Sequence, residues 1–429
     1  MKRFSLVVTV LLVSLVFATA LAGAEELSIR LSIDWAADSG RGQAIQRILD
    51  EFEKDNPGIK VKLLGGSQDT QNLLTQIVSG DAPEVIQVAY RNVKGLANYG
   101  AWQDLTDRFG DNSDLYYEQL WDLAMSNGRL YGYPWLGHTI QLVYNKTAFE
   151  EVGLTRAPET WEELYEYAKK LTRDTDGDGK IDQWGLGLVG RQHHDITWLF
   201  NMFATQAGAE LVKIQDGKPR VAINSEEGLE ALEFYVQLVQ EVCPPDTELK
   251  TGGEVMADFR NGIVAMEFQG PWGITDIWQS GNPFEVAAAA TPAGTSGRGA
   301  DVGPYMLCIP EGITGEKLEA AYKLIEFLGS TKGQELIMLG EKGSDGNFYP
   351  FRVPIRKDMA GSEFFQKNPE FLIFIEGLAY PSISTPVEAW AQVEVEVYQS
   401  QLNQAVLGKI TPAQALANIE RLGNVILNQ

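Results

Sequence analysis

The residues with the most distinctive chemistry form an acidic loop at positions 174–182. Carboxylates fall at positions 1, 3, 5 and 9 of a calcium-binding loop of the EF-hand type: Asp174, Asp176, Asp178 and Asp182. Gly179 would permit the sharp turn, and Lys180 would offer its backbone carbonyl oxygen. Position 12, which holds a bidentate glutamate in such loops, is Gly185 here. The pattern predicts a structural Ca²⁺ ion, and the alternative interpretation is a solvated acidic turn.

The three histidines, His138, His193 and His194, give weaker indications of chemistry. His193 and His194 precede Asp195 and could bind a metal ion, but adjacent side chains point apart on a strand or a helix. The chain contains no nucleophile elbow, no zinc-protease helix motif and no phosphate-binding loop. We therefore expect no enzymatic activity, although a carboxylate pair for glycoside hydrolysis would leave no sequential motif.

Aromatic residues recur where strands are expected to end. Residues 265–269 read as a strand that runs into Gly270-Pro271-Trp272, and the Trp272 ring could lie against the apolar face of a sugar. Residues with similar placement complete a candidate carbohydrate site: Trp35, Asp38, Asp69, Tyr90, His138, Tyr305 and Arg352. Aromatic rings cover the C–H faces of sugars, while Asp and Arg side chains bond the hydroxyls. The alternative is that each aromatic residue belongs to the core.

The elements that would position these residues alternate between strands and helices. Residues 27–35 carry apolar side chains at a period of two, which predicts a strand, and residues 44–52 carry them at helical spacing. Strands and helices continue to alternate as far as residue 89, which indicates an α/β fold with a parallel sheet. The last helix should begin with Thr411 as its cap and Pro412 at its first position.

The first 24 residues form a separate unit. Lys2 and Arg3 precede a short apolar run, and Ala22-Gly23-Ala24 fits a cleavage site. This pattern is typical of a secretory signal peptide that is cleaved after Ala24. Because no cysteine lies near that site, we expect no lipid anchor and a soluble periplasmic or extracellular protein.

The net charge of the chain limits the kinds of molecule that it can bind. The formal net charge of −23 argues against nucleic acid and anionic membranes as partners.

The two cysteines, Cys243 and Cys308, could form a disulfide in an exported protein. We expect two buried free thiols instead.

Short motifs occur in a characteristic order along the mature chain: FEKDNPGIKV at 52–61, SGDAPEV at 79–85, LYGYP at 130–134, VYNK at 143–146, PETWEEL at 158–164, GIVAM at 262–266, GPW at 270–272 and VPIR at 353–356. The ordered set resembles the extracellular solute-binding proteins of ABC sugar importers, the group that includes maltose-, maltodextrin- and trehalose-binding proteins. This resemblance extends over essentially the whole mature chain. Each motif is loose by itself, and their order makes the resemblance specific.

The resemblance implies a two-lobed periplasmic-binding-protein fold that is type II-like. Each lobe would hold a mainly parallel sheet flanked by helices, and crossing segments would form the hinge. Residues 25–138 and 292–311 would form the first lobe, and residues 139–291 and 312–429 the second lobe with the C-terminal helices. Cys243 and Cys308 would then lie in different lobes, which argues further against a disulfide.

The function implied by the resemblance is capture of a sugar or an oligosaccharide by a monomer, followed by delivery to a membrane permease. Trp272 would be the stacking aromatic of the second lobe, with Tyr305 opposite it in the first lobe. His138 would stand where an aspartate is common, which changes the hydrogen bonds offered to the sugar. The alternatives are a non-sugar solute such as a polyol, a sugar phosphate or a peptide, and a secreted carbohydrate-active enzyme. A phosphate ligand would call for a cluster of basic residues, and none is visible in the sequence.

Overall fold

The structure, a computed structural model, describes residues 26–66, 70–383, 387 and 389–428, so the expected signal peptide lies outside it. Its strands are β1 (Leu27–Ile33), β2 (Ile59–Gly65), β3 (Val85–Ala89), β4 (Met125–Ser126), β5 (Arg129–Leu130), β6 (Tyr133–Gly137), β7 (Gln141–Asn145), β8 (Val212–Gln215), β9 (Lys218–Val221), β10 (Met266–Gln269), β11 (Val286–Ala289), β12 (Tyr305–Cys308), β13 (Glu341–Lys342), β14 (Phe348–Tyr349) and β15 (Val353–Pro354).

The α-helices lie between these strands and after them. They are α1 (Gly40–Asp55), α2 (Thr70–Ser79), α3 (Val93–Asn98), α4 (Thr106–Phe109), α5 (Glu118–Ala124), α6 (Lys146–Glu151), α7 (Trp161–Leu171), α8 (His194–Ala207), α9 (Glu226–Val242), α10 (Gly252–Arg260), α11 (Pro271–Gln279), α12 (Gly315–Gly329), α13 (Thr331–Leu339), α14 (Glu363–Lys367), α15 (Leu372–Glu376), α16 (Trp390–Val393), α17 (Gln399–Val406) and α18 (Pro412–Leu427).

Several helices begin at a residue whose side chain accepts a hydrogen bond from a free backbone N–H group of the first turn. At the start of α7, Thr160 Oγ1 accepts a hydrogen bond from the Glu163 N–H at 3.2 Å. At the start of α18, Thr411 and Gln414 form a reciprocal capping box, and Pro412 occupies the first turn. The predicted start of the last helix is confirmed.

The larger sheet has six strands in the order β15-β6-β12-β3-β1-β2. β1 runs parallel to β2 and β3, whereas β12 runs antiparallel to β3 and β6, and β15 antiparallel to β6. The predicted α/β fold is confirmed, but this sheet is mixed and not mainly parallel. The sheet is mixed because β12 and β15 join it after long stretches of chain that lie outside it. Both then run antiparallel to the strands beside them.

The second sheet has three strands in the order β10-β7-β11. Both outer strands are antiparallel to β7, so the expectation of a mainly parallel sheet is wrong here as well. β7 leads away from the point where the chain leaves the first sheet, whereas β10 and β11 run back towards it. Parallel bridges from Trp184 to Val264 and from Gly187 to Glu267 extend this sheet beside β10.

The two sheets divide the molecule into lobes. One buried cluster is centred on the six-stranded sheet, includes Ile29 and Leu307, and continues to Val143 of β7 and Ile274 of α11. A second cluster includes Leu142 of the three-stranded sheet and Phe200 of α8. We call the elements around the six-stranded sheet the first lobe and those around the three-stranded sheet the second lobe.

Two of the crossings of the chain between the lobes lie side by side. β6 belongs to the first lobe and β7 to the second, so residues 138–140 form the outgoing crossing. On the return path, the Asp301 carbonyl accepts a hydrogen bond from the Ile140 N–H (3.0 Å), and the Gly303 N–H donates to the His138 carbonyl (3.1 Å). We call residues 138–140 and 301–303 the crossing segments.

The division of the later part of the chain differs from the expected one. Residues 312–429 were expected in the second lobe, but α12 packs against β1 and β6, and α13 packs against α1. The apolar face of α12 explains this placement, because Leu324 and Leu328 join the core of the first lobe. β15 also lies in the first sheet, whereas α17 and α18 pack against α8 and α9 in the second lobe.

The two cysteines are buried and free, as the sequence analysis predicted. Cys308 lies in β12 of the first lobe, and Cys243 follows α9 of the second. Burial raises the pKa of both thiols, which keeps them protonated near neutral pH. Within the described ranges, no helix combines the length and the apolar character needed to cross a membrane.

Candidate functional site

Trp272 lies at the corner where β10 turns into α11. The whole of β10 is buried, and Pro271 occupies the first turn of α11, which fixes the path of the corner. The indole Nε1–H donates to Gln269 Oε1 at 2.7 Å. A Cβ at Gly270 would stand 2.2 Å from the indole ring, so only glycine lets the ring lie this close to the backbone. The ring is therefore held in one orientation, half-buried at the edge of the second lobe.

Aromatic residues of the first lobe form a second wall. Trp35, just after β1, lies edge-on to Tyr305 and Phe351, with ring centroids 5.5 and 5.4 Å apart. Tyr305 begins β12, and Phe351 precedes β15, so three separate strands of one sheet supply this wall. It presents ring surface and one phenol group.

Arg352 joins the two walls. Its Cζ lies 4.3 Å from the ring centroid of Trp272, 5.4 Å from that of Trp35 and 5.9 Å from that of Tyr305. The side chain is only 5% exposed, and its Nη1 donates to the Phe351 carbonyl at 2.8 Å. Burial lowers the pKa of Arg352 to about 10, so the guanidinium remains charged at neutral pH.

His138, in the outgoing crossing segment, lies beside Trp272. The two ring centroids are 5.1 Å apart, and His138 Nε2 lies 3.6 Å from Asp301 Oδ2. A Cβ at Gly303 would come within 2.3 Å of the imidazole, so the glycine makes room for it. Burial lowers the pKa of His138, which favours the neutral imidazole. The ring can then offer one donor and one acceptor.

Asp34, Arg91 and Asp301 belong to the same neighbourhood, and none of the three is among the predicted site residues. Asp34 is half-buried at the end of β1, and burial raises its pKa against the opposing effects of the Tyr305 hydroxyl and of Arg91. Its position at a strand end is the same signal that identified Trp35. Arg91 follows the strand-end residue Tyr90, whereas Asp301 carries no comparable signal, because the fold alone brings it near His138.

The remaining predicted positions are placed less centrally. Asp38 is exposed in the loop before α1, and its described contact is the backbone carbonyl that accepts from Gln43 Nε2. Asp69 lies outside the described residues. Tyr90 is half-buried after β3, and its backbone N–H donates to the Pro304 carbonyl at 3.1 Å.

Tyr90 also borders a cavity of about 400 Å³ between the lobes. Its lining comes from the first lobe and from the chain around α16: Tyr90, Arg91, Lys94, Asn98, Val387 and Glu394. Glu394 begins a π-helical turn and accepts a hydrogen bond from Thr197 Oγ1 at 2.7 Å. The cavity falls within the size range of small-molecule sites, and its lining is rich in polar groups.

The acidic loop folds around Asp174. Both carboxylate oxygens of Asp174 accept backbone N–H groups, from Gly177 at 2.6 Å and from Gly179 at 2.7 Å. Both glycines have left-handed φ angles, 83° and 89°. One carboxylate oxygen from each of Asp174, Asp176 and Asp182 lies within 4.8 Å of the others, a set of hard oxygen atoms that fits Ca²⁺.

The Asp178 carboxylate is not part of that set. An Asp178 oxygen accepts the Lys180 N–H at 2.8 Å, and the Lys180 ammonium lies 3.7 Å from the second oxygen of Asp178. Backbone hydrogen bonds lower the pKa of Asp174, and the Thr175 hydroxyl lowers that of Asp182, which keeps both carboxylates ionised.

The adjacent histidines do not point apart, and that expectation is wrong. His194 Nε2 lies 2.9 Å from one oxygen of Asp195, and His193 Nδ1 lies 3.3 Å from the other. His193 is the extended N-cap of α8, whereas His194 is helical, so the backbone turns between them and brings both rings to one side. The Asp195 carboxylate also accepts the Gly252 N–H at 2.8 Å and thereby ties α8 to α10.

The chain matches the family described as bacterial extracellular solute-binding protein over residues 36–335. It therefore belongs to this family, a class of proteins that bind solutes outside the cell. The "Multiple sugar-binding protein" of Streptococcus mutans is 21% identical over 300 residues, which cover 68% of this chain and 69% of that protein.

Two solved structures share the fold. An ABC transporter solute-binding protein of Thermotoga lettingae bound with α-D-tagatose has a TM-score of 0.77 at 23% identity, and covers 94% of this chain and 100% of its own. The maltose-bound MalE3 of T. maritima has a TM-score of 0.77 at 22% identity, with 93% and 100% covered. The predicted two-lobed periplasmic-binding-protein fold is confirmed.

Proposed function

We propose that this protein is the substrate-binding component of an ABC transporter and captures a sugar or an oligosaccharide between its lobes. The observation that carries the proposal is the arrangement of Trp272. A hydrogen bond to Gln269 and the close approach of Gly270 fix its ring opposite the aromatic residues of the first lobe. Flat rings with polar groups between them suit the alternating C–H faces and hydroxyls of a sugar. The sugar ligands of similar proteins support the same class of solute.

Binding would act by closing the lobes. The crossing segments are short, and hydrogen bonds join them side by side, so a rotation there would move Trp272 relative to Trp35 and Tyr305. A ligand that contacts both walls favours the closed state over the open one, which is a population shift and requires no reaction. The closed form would be the one that a membrane permease recognises, with the binding protein acting as a monomer.

We propose further that residues 1–24 direct export and are removed after Ala24. The exported protein would then work in the periplasm or outside the cell, without a lipid anchor. N-terminal sequencing of protein secreted by a bacterial host tests this assignment. A mature chain that begins at Glu25 supports it, and an intact Met1 contradicts it.

We also propose that the loop at 174–182 holds a structural Ca²⁺ ion. The convergence of three carboxylates supports a cation there, because such groups repel one another without one. Removing Ca²⁺ with a chelator should lower the melting temperature of the wild type and leave that of Asp174→Asn almost unaffected. Identical melting curves of the wild type with and without chelator would contradict the proposal.

The proposed function is tested by a thermal-shift screen against mono- and oligosaccharides, polyols and peptides, followed by calorimetry on each hit. A sugar that binds and is recovered unchanged after prolonged incubation supports a sugar-binding protein. A polyol or a peptide as the best ligand would replace the sugar with another solute. Recovery of cleaved sugar would favour a secreted carbohydrate-active enzyme and contradict the proposal.

A further inference from the structure

Arg352 carries a buried charge that is incompletely partnered. The guanidinium is only 5% exposed, and its Nε finds no hydrogen-bond acceptor within the described part of the chain. Its partners are neutral groups, namely the backbone carbonyl of Phe351 and the hydroxyl of Tyr305. No carboxylate oxygen of the described residues lies within 4.0 Å of it. Buried arginines in proteins are normally paired, because an uncompensated buried charge is strongly destabilising.

The carboxylates around Arg352 are shared with other groups. Asp34 is attracted by Arg352 but also interacts with the Tyr305 hydroxyl and with Arg91, and Asp301 faces the imidazole of His138. Glu341 lies 3.9 Å from Arg41, which is itself a cation near the same aromatic wall. The ring of Trp272 attracts the guanidinium but does not neutralise it. The site thus holds a position for one further negative charge.

Two more cations line the adjoining cavity. Arg91 and Lys94 border the space of about 400 Å³ beside Tyr90, and neither forms an ion pair with any described carboxylate. Glu394 lines the same cavity, where its carboxylate accepts the Thr197 hydroxyl, and it brings one negative charge against these two positive ones. The chain as a whole has 58 acidic and 35 basic residues, so three cations that form no ion pair within 4.0 Å with the described carboxylates run against its composition. The sequence does not show this grouping, because residues 91 and 352 come near His138 only in the fold.

We propose that the ligand is an acidic sugar, one that carries a carboxylate as uronic acids do, and that Arg352 receives that carboxylate. This inference rests on the proposed sugar-binding function and specifies its substrate class. A planar guanidinium matches a carboxylate with two parallel hydrogen bonds. The sugar ring would contact the aromatic walls, and any further sugar unit could extend towards Arg91 and Lys94.

A carboxylate fits this site better than a phosphate does. Phosphate sites commonly use several backbone N–H groups at the N-terminus of a helix. The helix that begins in this cleft, α11, offers few of them, because Pro271 has no N–H and the Gly273 N–H donates to the Gly270 carbonyl. An anion in this cleft would therefore be bound by side chains and not by backbone N–H groups.

The test compares matched pairs of sugars by calorimetry on the wild type: glucose with glucuronate, galactose with galacturonate, and mannose with mannuronate, together with glucose 6-phosphate. At least one uronate should bind about tenfold or more tightly than its neutral parent, as expected for hydrogen bonds to a charged group. That preference should weaken as the salt concentration rises.

Arg352→Gln should abolish the preference for the uronate, whereas Arg352→Lys should retain part of it. Arg421→Gln serves as the control, because Arg421 is exposed on α18, away from the cleft. Binding of neutral sugars alone would overturn the inference and leave the proposed function standing. Tighter binding of glucose 6-phosphate than of any uronate would also overturn it. Binding of no sugar in this panel would overturn the inference, and the screen with oligosaccharides would then decide the proposed function separately.

Discussion

Two side chains of the cleft, Trp272 and His138, are held in place by contacts within the protein. The Trp272 ring is bonded at its nitrogen to Gln269, so its orientation does not depend on the ligand. His138 is held between Trp272 and Asp301 and is favoured in its neutral form. Both groups are thus fixed in advance, which reduces the entropy lost on binding.

Stability should depend on pH through His138. Its pKa in the fold lies below the usual 6.5 because burial disfavours the imidazolium, an effect that Asp301 partly opposes. Between the folded pKa and 6.5 the unfolded chain binds more protons, so the free energy of unfolding falls as the pH drops through that window. His138→Gln should lose less stability than the wild type between about pH 7.5 and 5.5 in denaturant titrations. Parallel curves for the two proteins would contradict this assignment.

At the level of elements, strand ends and the turns after them supply most of the site. β10 delivers Trp272, β12 begins with Tyr305, and Trp35 follows β1. The glycines at these corners have a steric role, since Gly270 lies directly beneath the indole and Gly303 beside the imidazole. A change at such a corner should move a ring without breaking the core.

Gly270→Ala tests this role of the corner between β10 and α11. The new methyl group would stand 2.2 Å from the Trp272 ring, which must shift. Ligand affinity should fall by about three- to tenfold, the value of an aromatic contact of 0.5–1.5 kcal/mol. Calorimetry with a sugar identified by the screen provides the measurement.

Gly253→Ala is the matched control for that experiment. Its methyl group would meet only Thr251 Oγ1, at 3.9 Å, in the same lobe. Affinity should remain that of the wild type. Equal affinities for Gly270→Ala and Gly253→Ala would show that the position of the indole does not matter for binding.

At the level of the whole molecule, two cores are linked by crossing segments, and the candidate site lies where the lobes face each other. Arg352 contacts rings of both lobes, so it reports on their separation. The structure thus has the parts required for hinge closure, namely two lobes and short crossing segments that hydrogen bonds join.

Small-angle X-ray scattering with and without a bound sugar tests this closure. The radius of gyration should decrease on binding, because the lobes approach each other around the ligand. The same sugar should leave the scattering of Trp272→Ala unchanged at concentrations that saturate the wild type. An unchanged radius for the ligand-saturated wild type would argue against lobe closure.

Much of this organisation is visible in the sequence, and the exceptions have physical reasons. Period-two and helical spacing identify β1 and α1, and a strand-end aromatic marks Trp272, because these are local signals. Strand direction is not local, so the antiparallel entry of β12 could not be predicted from the spacing of its residues. Placement of α12 in the first lobe and the meeting of Arg91 with Tyr305 are likewise long-range consequences of the fold.

The measurement that tests the account most directly is the sugar affinity of Trp272→Ala compared with that of Trp278→Ala. Both residues are half-buried tryptophans of α11, but Trp278 packs against Tyr349 and Phe371, away from Arg352. Calorimetry should show that Trp272→Ala loses more than about 1.5 kcal/mol of binding free energy, the upper range for an aromatic contact, while Trp278→Ala binds as the wild type does. An unchanged affinity for Trp272→Ala would show that the indole belongs to the core and that the sugar binds elsewhere.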